Sequence, residues 1–290
     1  VISSRGKSIT LDTAIRFPVR LLESGPAAGA YSASRFARKM GEKNLLSFDM
    51  GGTSAKVCLI RNFEAQTTVE FEAARIARFK RKSGLPIRIP VVDLIEIGAG
   101  GGSIAQIDSL GLPSVGPVSA GSEPGPICYG RGGKLVTVTD ADLALGYLNA
   151  NYFLGGKLEL DMSNAKLGIE EQIARPLDVN VDEAAWNIFS MVNDGMARAA
   201  VVHASELGVD LRNFVLFAFG GAGPVHAAYV GKSLGIKNVI VPPDPGVLSA
   251  IGTAMSPPSF DLAKSYKSEL TKVDFGIVNR IFNELEQDGN

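Results

Sequence analysis

Phe217-Ala218-Phe219-Gly220-Gly221-Ala222-Gly223-Pro224 is the stretch on which the fold of this chain turns. The run from Phe214 to Phe219 is continuously apolar, the pattern of a strand covered on both faces. Gly220 to Gly223 then bend the chain, and Pro224 stands where a helix begins, a position at which its missing N–H is harmless. Val239-Ile240-Val241 predicts the next buried strand, and residues 247–255 predict a helix rich in small side chains. Strand, helix, strand and helix in that order imply parallel β structure joined by crossover helices. Chemically, a helix N-terminus offers unpaired N–H groups and a positive dipole end to an anion. Glycines there also let a flat nucleoside lie against the backbone. The stretch has neither the Gly-Lys-Ser/Thr of a Walker loop nor a Gly-x-Gly-x-x-Gly fingerprint. Tight packing of helix on strand is the alternative use of the same glycines.

Upstream, Glu23-Ser24-Gly25-Pro26 opens a helix of small residues that stops near Gly41. Leu45, Leu46 and Phe48 form a strand running into Asp49-Met50-Gly51-Gly52-Thr53-Ser54, and Val57–Ile60 returns as its hairpin partner. The glycines allow successive amides to converge on an anion, with Thr53 and Ser54 adding hydroxyls. A carboxylate beside such an anion needs a cation between them, so Asp49 implies Mg²⁺. A hairpin whose Asp caps its own backbone is the plainer reading of the same residues. Residues 69–72 are expected as an exposed strand, and Pro90–Ile97 as a strand entering Gly98-Ala99-Gly100-Gly101-Gly102-Ser103, with Ile104–Ile107 a strand beyond. Asp93 and Glu96, which precede this turn, are candidates for binding metal or positioning substrate, and Gly100, Gly101, Gly102 and Ser103 within it for holding substrate or phosphate. Glu123 in a Gly/Pro-rich turn and His226 one turn into the helix after Pro224 are candidate catalytic groups. Thr139 is expected to cap a helix starting at Asp140, followed by helices over 163–174 and 182–207. The last of these carries a buried stripe at Trp186, Phe189, Val192, Met196 and Ala200.

Composition narrows the classes. The chain has 290 residues, and 29 basic against 30 acidic side chains leave a formal net charge of −1, so no broad basic field attracts nucleic acid or anionic membrane. At 46% hydrophobic and 20% charged, it is globular. Of its 33 glycines, 11 lie between Gly98 and Gly133, a stretch expected as ordered loop. Cys58, Cys128, His203 and His226 supply neither a disulfide framework nor an all-Cys/His zinc site, which suits a reducing, cytoplasmic compartment. The longest uncharged stretch, Asn213–Gly231, is broken by the Gly220–Pro224 turn and does not read as a membrane span. The basic run Arg75–Lys82 holds one aromatic, Phe79, and is expected as a solvated face or a contact with an acidic partner.

Taken together, the Asp49–Thr53 hairpin and the Gly220–Gly223 turn resemble the two nucleotide-gripping elements of the actin/sugar-kinase/Hsp70 superfamily. With Leu22-Glu23-Ser24-Gly25-Pro26-Ala27, Gly98–Ala105, Ala120–Pro126 and Thr139-Asp140-Ala141-Asp142, the chain resembles the hydantoinase A/5-oxoprolinase family (N-methylhydantoinase A-like) from about Leu21 to Met255. That resemblance implies an α/β fold with ribonuclease-H-like mixed sheets and flanking helices. It also implies ATP and Mg²⁺ as cofactors and a B-type partner subunit or domain in a heteromeric complex. The implied reaction is ATP-dependent opening of a cyclic amide, hydantoin or 5-oxoproline, through a phosphorylated intermediate; ketone carboxylation is its relative. A sugar-kinase-like phosphotransferase or a nucleotide-driven reactivating chaperone would use the same fold. Asp49 would hold Mg²⁺, Gly51, Gly52, Thr53 and Ser54 the phosphates, and Gly220, Gly221 and Gly223 the nucleoside. Many members carry Thr-Asp where this chain has Ala55-Lys56. They also open on a further Asp-x-Gly-Gly-Thr loop, which nothing before Leu21 supplies. The chain is therefore expected to be an N-terminally incomplete piece, with a catalytic domain over 1–260 and the start of a further element over 261–290.

Overall fold

In the computed structural model the described residues are 1–73 and 84–289. The elements that position the site are helix α1 (Ser24–Met40), strands β1 (Asn44–Met50), β2 (Ala55–Arg61), β3 (Glu64–Ala65) and β4 (Leu94–Ile97), and the β5–β6 ribbon (Ser103–Ile107 and Pro113–Ser119). They continue with helices α2 (Val138–Ala144) and α3 (Val181–Glu206), strand β7 (Val215–Phe219), helix α4 (Gly223–Ser233), strand β8 (Val239–Ile240), and helices α5 (Leu248–Met255) and α6 (Phe275–Gly289). The main sheet runs β8-β7-β1-β2, with β3 and β4 both paired to β2. Strands β1 and β2 form an antiparallel hairpin, β4 lies antiparallel to β2, and β7 and β8 run parallel to β1. An antiparallel meander extended by two parallel crossover strands on its first strand is the ribonuclease-H-like arrangement, with helices on both faces.

Strand alternation assigns the two cores. Leu46, Phe48 and Met50 of β1 and Leu216 and Ala218 of β7 face one core, where Ile188, Val192, Met196 and Ala200 of α3 and Ala227 and Val230 of α4 close over them. Leu45, Val215, Phe217 and Phe219 face the other, under Ala27, Ala30, Ala33 and Ala37 of α1 and Leu248 of α5. The alanines permit close approach: a Cβ added at Gly252 of α5 would lie 2.6 Å from Ser32 Oγ. Helix α1 stops at Gly41 in the left-handed region, as the sequence leads one to expect.

Several expectations shift. Thr137, not Thr139, caps α2, because its hydroxyl and the Asp140 carboxylate form a reciprocal capping box. Trp186 is 42% exposed, its ring lying against Phe189 and Tyr229 at the rim, while the rest of the predicted stripe is buried. The strand expected as exposed over 69–72 sits at Phe71–Ala73, paired with Leu85–Ile87; Phe71 and Glu72 are half-buried, and Val69 lies outside it. Within the predicted loop, residues 113–119 form a strand whose pairing to β5 shifts register between Val115 and Ser119, the segment that holds Gly116 and Pro117. Two prolines hide this strand from a pattern search. The basic run Arg75–Lys82 lies outside the described residues. Among the described residues, no helix is long and apolar enough to cross a membrane.

Cys58 and Cys128 are buried and unbridged, and burial pushes both thiols well above the ordinary thiol range. Native protein should therefore not react with a disulfide-exchange thiol reagent at pH 8, whereas both sulfurs become titratable in guanidinium.

Candidate functional site

Parallel pairing in the register Leu45↔Val215 to Asp49↔Phe219 carries the Asp49–Ser54 and Gly220–Gly223 turns to the same end of one sheet, side by side. They touch. The Ala222 amide donates to the Met50 carbonyl at 2.9 Å. Gly220 has φ +85°, and a Cβ there would meet the Met50 carbonyl and sit 2.5 Å from Asp49 Oδ1. The third turn, Gly98–Ser103, lies against the first: Gly101 donates to the Gly51 carbonyl at 3.0 Å and Gly102 to the Gly52 carbonyl at 2.7 Å. A Cβ on Gly100 would lie 2.7 Å from the Gly52 oxygen and from the Thr53 nitrogen. Thr139 of α2 donates both its N–H and its hydroxyl to the Gly101 carbonyl, each at 2.8 Å. Ala120 donates to the Gly102 carbonyl at 2.8 Å, which brings in the chain leaving β6.

This stacking has a directional consequence. In a trans peptide the carbonyl of one residue and the amide of the next point opposite ways. With the Gly51 and Gly52 carbonyls tied to the third turn, the amides of Gly52 and Thr53 face outward. Neither amide, nor that of Gly221, donates a hydrogen bond within the described backbone. Gly52, Thr53 and Gly221 are exposed, and a Cβ added at Gly51, Gly52 or Gly221 would meet nothing within 4 Å. Outward amides on an open floor form a concavity for an anion.

Beside it runs a row of charges. Asp49 on β1 is opposite Lys56 on β2, which is opposite Glu96 on β4. Lys56 Nζ is 3.2 Å from Glu96 Oε1 and donates to Ser54 Oγ, which donates to Glu96 Oε1 at 2.9 Å. Burial raises the Asp49 carboxyl above the usual carboxylate range, with Lys56 pulling the other way. Glu23, the residue before α1, is also raised, chiefly by burial and then by the charge of Glu96, again opposed by Lys56. Asp49 receives no hydrogen bond among the described residues, so its carboxylate is free to take a cation. No group of three or more His, Cys, Asp or Glu side chains suited to a metal occurs among the described residues. The donor set thus fits Mg²⁺ held by one carboxylate and completed by water and ligand oxygens, and not a closed protein cage.

The expected residues divide accordingly. Asp49, Gly51, Gly52, Thr53, Ser54, Gly100, Gly101, Gly102, Ser103, Gly220, Gly221 and Gly223 come together at one end of the sheet. Asp93 precedes β4 and lies toward Cys58, about 10 Å along the strand from Glu96; Glu96 is the acid of that strand that reaches the site. Glu123 is exposed in the turn following Ala120. His226 is fully buried, facing Asp142 and Asn193 in place of solvent. Glu23, Lys56 and Thr139 are the site residues that motif reading did not assign. The β1–β2–β4 register, which aligns three of the charges, is not written in any one segment.

The sequence model of the family described as Hydantoinase/oxoprolinase matches residues 1–261. An uncharacterized protein of Methanocaldococcus jannaschii is 38% identical over 292 residues, covering 100% of this chain and 43% of that protein. The caprolactamase subunit alpha of Pseudomonas jessenii is 35% identical over 273 residues, covering 93% of this chain and 38% of that subunit. The nucleotide-free structure of acetone carboxylase superposes with a TM-score of 0.78 at 29% identity, covering 100% of this chain and 40% of that one. The chain therefore spans about two fifths of the length of the relatives it matches. A match over nine tenths of its residues makes this chain a member of the hydantoinase/oxoprolinase family.

Proposed function

We propose that this chain is the phosphate-holding part of an ATP-using enzyme that opens a cyclic amide. One observation carries the reading: three glycine turns stack so that the Gly52, Thr53 and Gly221 amides face open space beside the unpartnered carboxylate of Asp49. In the reaction proposed, the lactam oxygen attacks the terminal phosphorus of ATP and the bond to the ADP oxygen breaks. Water then adds to the activated carbon, and the ring C–N bond breaks as its nitrogen takes a proton, which leaves an amine and an acyl phosphate. A second water hydrolyses the acyl phosphate to a carboxylate and free phosphate. Mg²⁺, held at Asp49, would supply charge neutralisation for the phosphate oxygens. The outward amides of Gly52 and Thr53 would hold those oxygens through backbone N–H donors, which need no reorganisation as charge develops. The N-terminal end of α4, with Gly221, would take the nucleoside end. Lys56, anchored by Glu96 and Ser54, would keep a fixed positive charge at the phosphoryl end of the site. Positioning and electrostatics carry such transfers more than covalent chemistry by the protein.

The likeness to caprolactamase supports lactam opening, and the likeness to acetone carboxylase supports a second reading. There the phosphoryl group would go to a ketone-derived oxygen and the carbon acceptor would be bicarbonate-derived. Relatives from caprolactamase and acetone carboxylase are named as subunits, which supports a partner subunit here, proposed to be of hydantoinase B type. The test is ADP release by the full-length protein with its co-purifying partner, offered hydantoin, 5-oxoproline and caprolactam, or acetone with bicarbonate. Lactam-stimulated release with appearance of the ring-opened acid is the expected result. Stimulation by acetone and bicarbonate alone would replace this reading with the carboxylase one, and stimulation by sugars would remove both.

A further inference from the structure

Helix α2 is a hub for the glycine turns, and its successive residues hold different ones. Thr139 grips the Gly101 carbonyl. Asp140, fully buried, accepts the amides of Cys128 at 2.8 Å and Ile127 at 3.3 Å, the chain just beyond the turn that carries Glu123. Asp142 reaches across to α4, where its Oδ2 lies 3.3 Å from Nε2 of His226. His226 is held on its other side by Asn193 of α3, with Nδ1 to Oδ1 at 3.2 Å, and its ring stacks on Phe189 at 5.1 Å. Asp142 Oδ1 and His226 Nε2 are both buried without a hydrogen-bond partner, so the 3.3 Å approach of Nε2 to Oδ2 is the polar contact that each makes across this gap.

The geometry resembles a two-rung ladder. On the upper rung Gly101 lies between the helices: a Cβ built on it would be 2.9 Å from Thr139 Oγ1 and 3.8 Å from Ala222 Cβ. One helical turn further along each helix, Asp142 meets His226 as the lower rung. We propose that Asp142 and His226 are positioning residues whose contact fixes the spacing between the Gly98–Ser103 turn and the Gly220–Gly223 turn, and through it the nucleotide affinity of the site. This rests on the nucleotide-holding role proposed above. Displacement of a binding group by about 1 Å is enough to change rates roughly 10²-fold, so the strut matters even though neither side chain touches ligand.

The test uses the full-length protein with its partner and two double variants. Asp142→Leu/His226→Phe fills the space with apolar groups but removes the polar contact. It should raise KM for ATP on the order of tenfold, the usual scale for losing outer support of a site, with kcat changed much less. Amide exchange over residues 98–103 and 219–223 should accelerate in the same variant. Asp142→Asn/His226→Gln places two neutral polar groups across the same gap and should return both readouts close to the wild type. Wild-type KM and exchange in the apolar pair, or no rescue by the neutral polar pair, overturns the proposal. If the apolar pair does not fold, Asn193→Ala, which releases Nδ1 of His226, should show the same faster exchange, and unchanged exchange there overturns it equally. Should the wild-type complex use no ATP at all, the functional reading fails, while exchange still decides whether the pair holds the two turns.

Discussion

Asp49→Asn should abolish the ATP-dependent turnover proposed for this chain and leave the fold intact or slightly firmer. The activity loss should reach at least about 10²–10³-fold, the scale on which removing one electrostatic stabiliser of a transition state is felt, and ADP release measures it. The stability expectation follows from burial. The Asp49 carboxyl is raised above its ordinary value in the folded protein, so the fold binds the proton more tightly than the unfolded chain does. Its contribution is favourable at low pH, where the acid is protonated, and is lost as pH rises through the raised folded value. Near neutrality the ionised, half-buried carboxylate is a burden that asparagine removes. Thermal unfolding of the variant at pH 7 should therefore occur at or above the wild-type temperature, with any gain shrinking as pH falls toward the ordinary carboxylate range. A large drop in melting temperature would mean that Asp49 is a structural cap, the plainer reading of its hairpin.

Gly220→Ala should be among the most destabilising single substitutions in the chain, at about 3 kcal/mol or more. Two costs combine. The backbone sits at φ +85°, where an L side chain costs about 1–2 kcal/mol, and the added methyl would press on the Met50 carbonyl and the Asp49 carboxylate. The carbonyl cannot give way easily, since Met50 is paired with Ala55 of β2 and its oxygen accepts the Ala222 amide. Gly52→Ala is the informative companion. A Cβ at Gly52 meets nothing within 4 Å, so its stability should change by less than about 0.5 kcal/mol, as at ordinary surface positions. The same methyl stands on the open floor where the phosphates are proposed to lie, so KM for ATP should rise while denaturant unfolding is unchanged. Equal stability losses in the two variants would count against this division between packing glycine and ligand-facing glycine.

Much of this arrangement is written locally. The apolar run before Gly220, the proline after it and the Asp-x-Gly-Gly-Thr hairpin give strand, turn and helix in the places where they occur, because glycine and proline constrain backbone without help from distant contacts. Helix α1 likewise declares its end at Gly41. What stays hidden depends on pairing between distant segments. Glu96 and Lys56 join Asp49 only through the register of three strands. Thr139 is legible as a helix-start residue, yet its partner is a glycine carbonyl 38 positions away. His226 has the composition of a catalytic group at a helix start, but helical geometry turns it onto α2 and α3, where Asp142 and Asn193 await it. The strand at 113–119 escapes detection because two prolines interrupt its pattern and its pairing tolerates them through a register shift.

The central claim is that the two neighbouring turns hold one nucleotide between them. A crystal structure of the full-length protein with a non-hydrolysable ATP analogue and Mg²⁺ tests it most directly. Phosphate oxygens are expected on the amides of Gly52 and Thr53, the cation at Asp49, and the nucleoside end over Gly220–Gly223. Nucleotide bound elsewhere, with those amides left facing solvent, would contradict it.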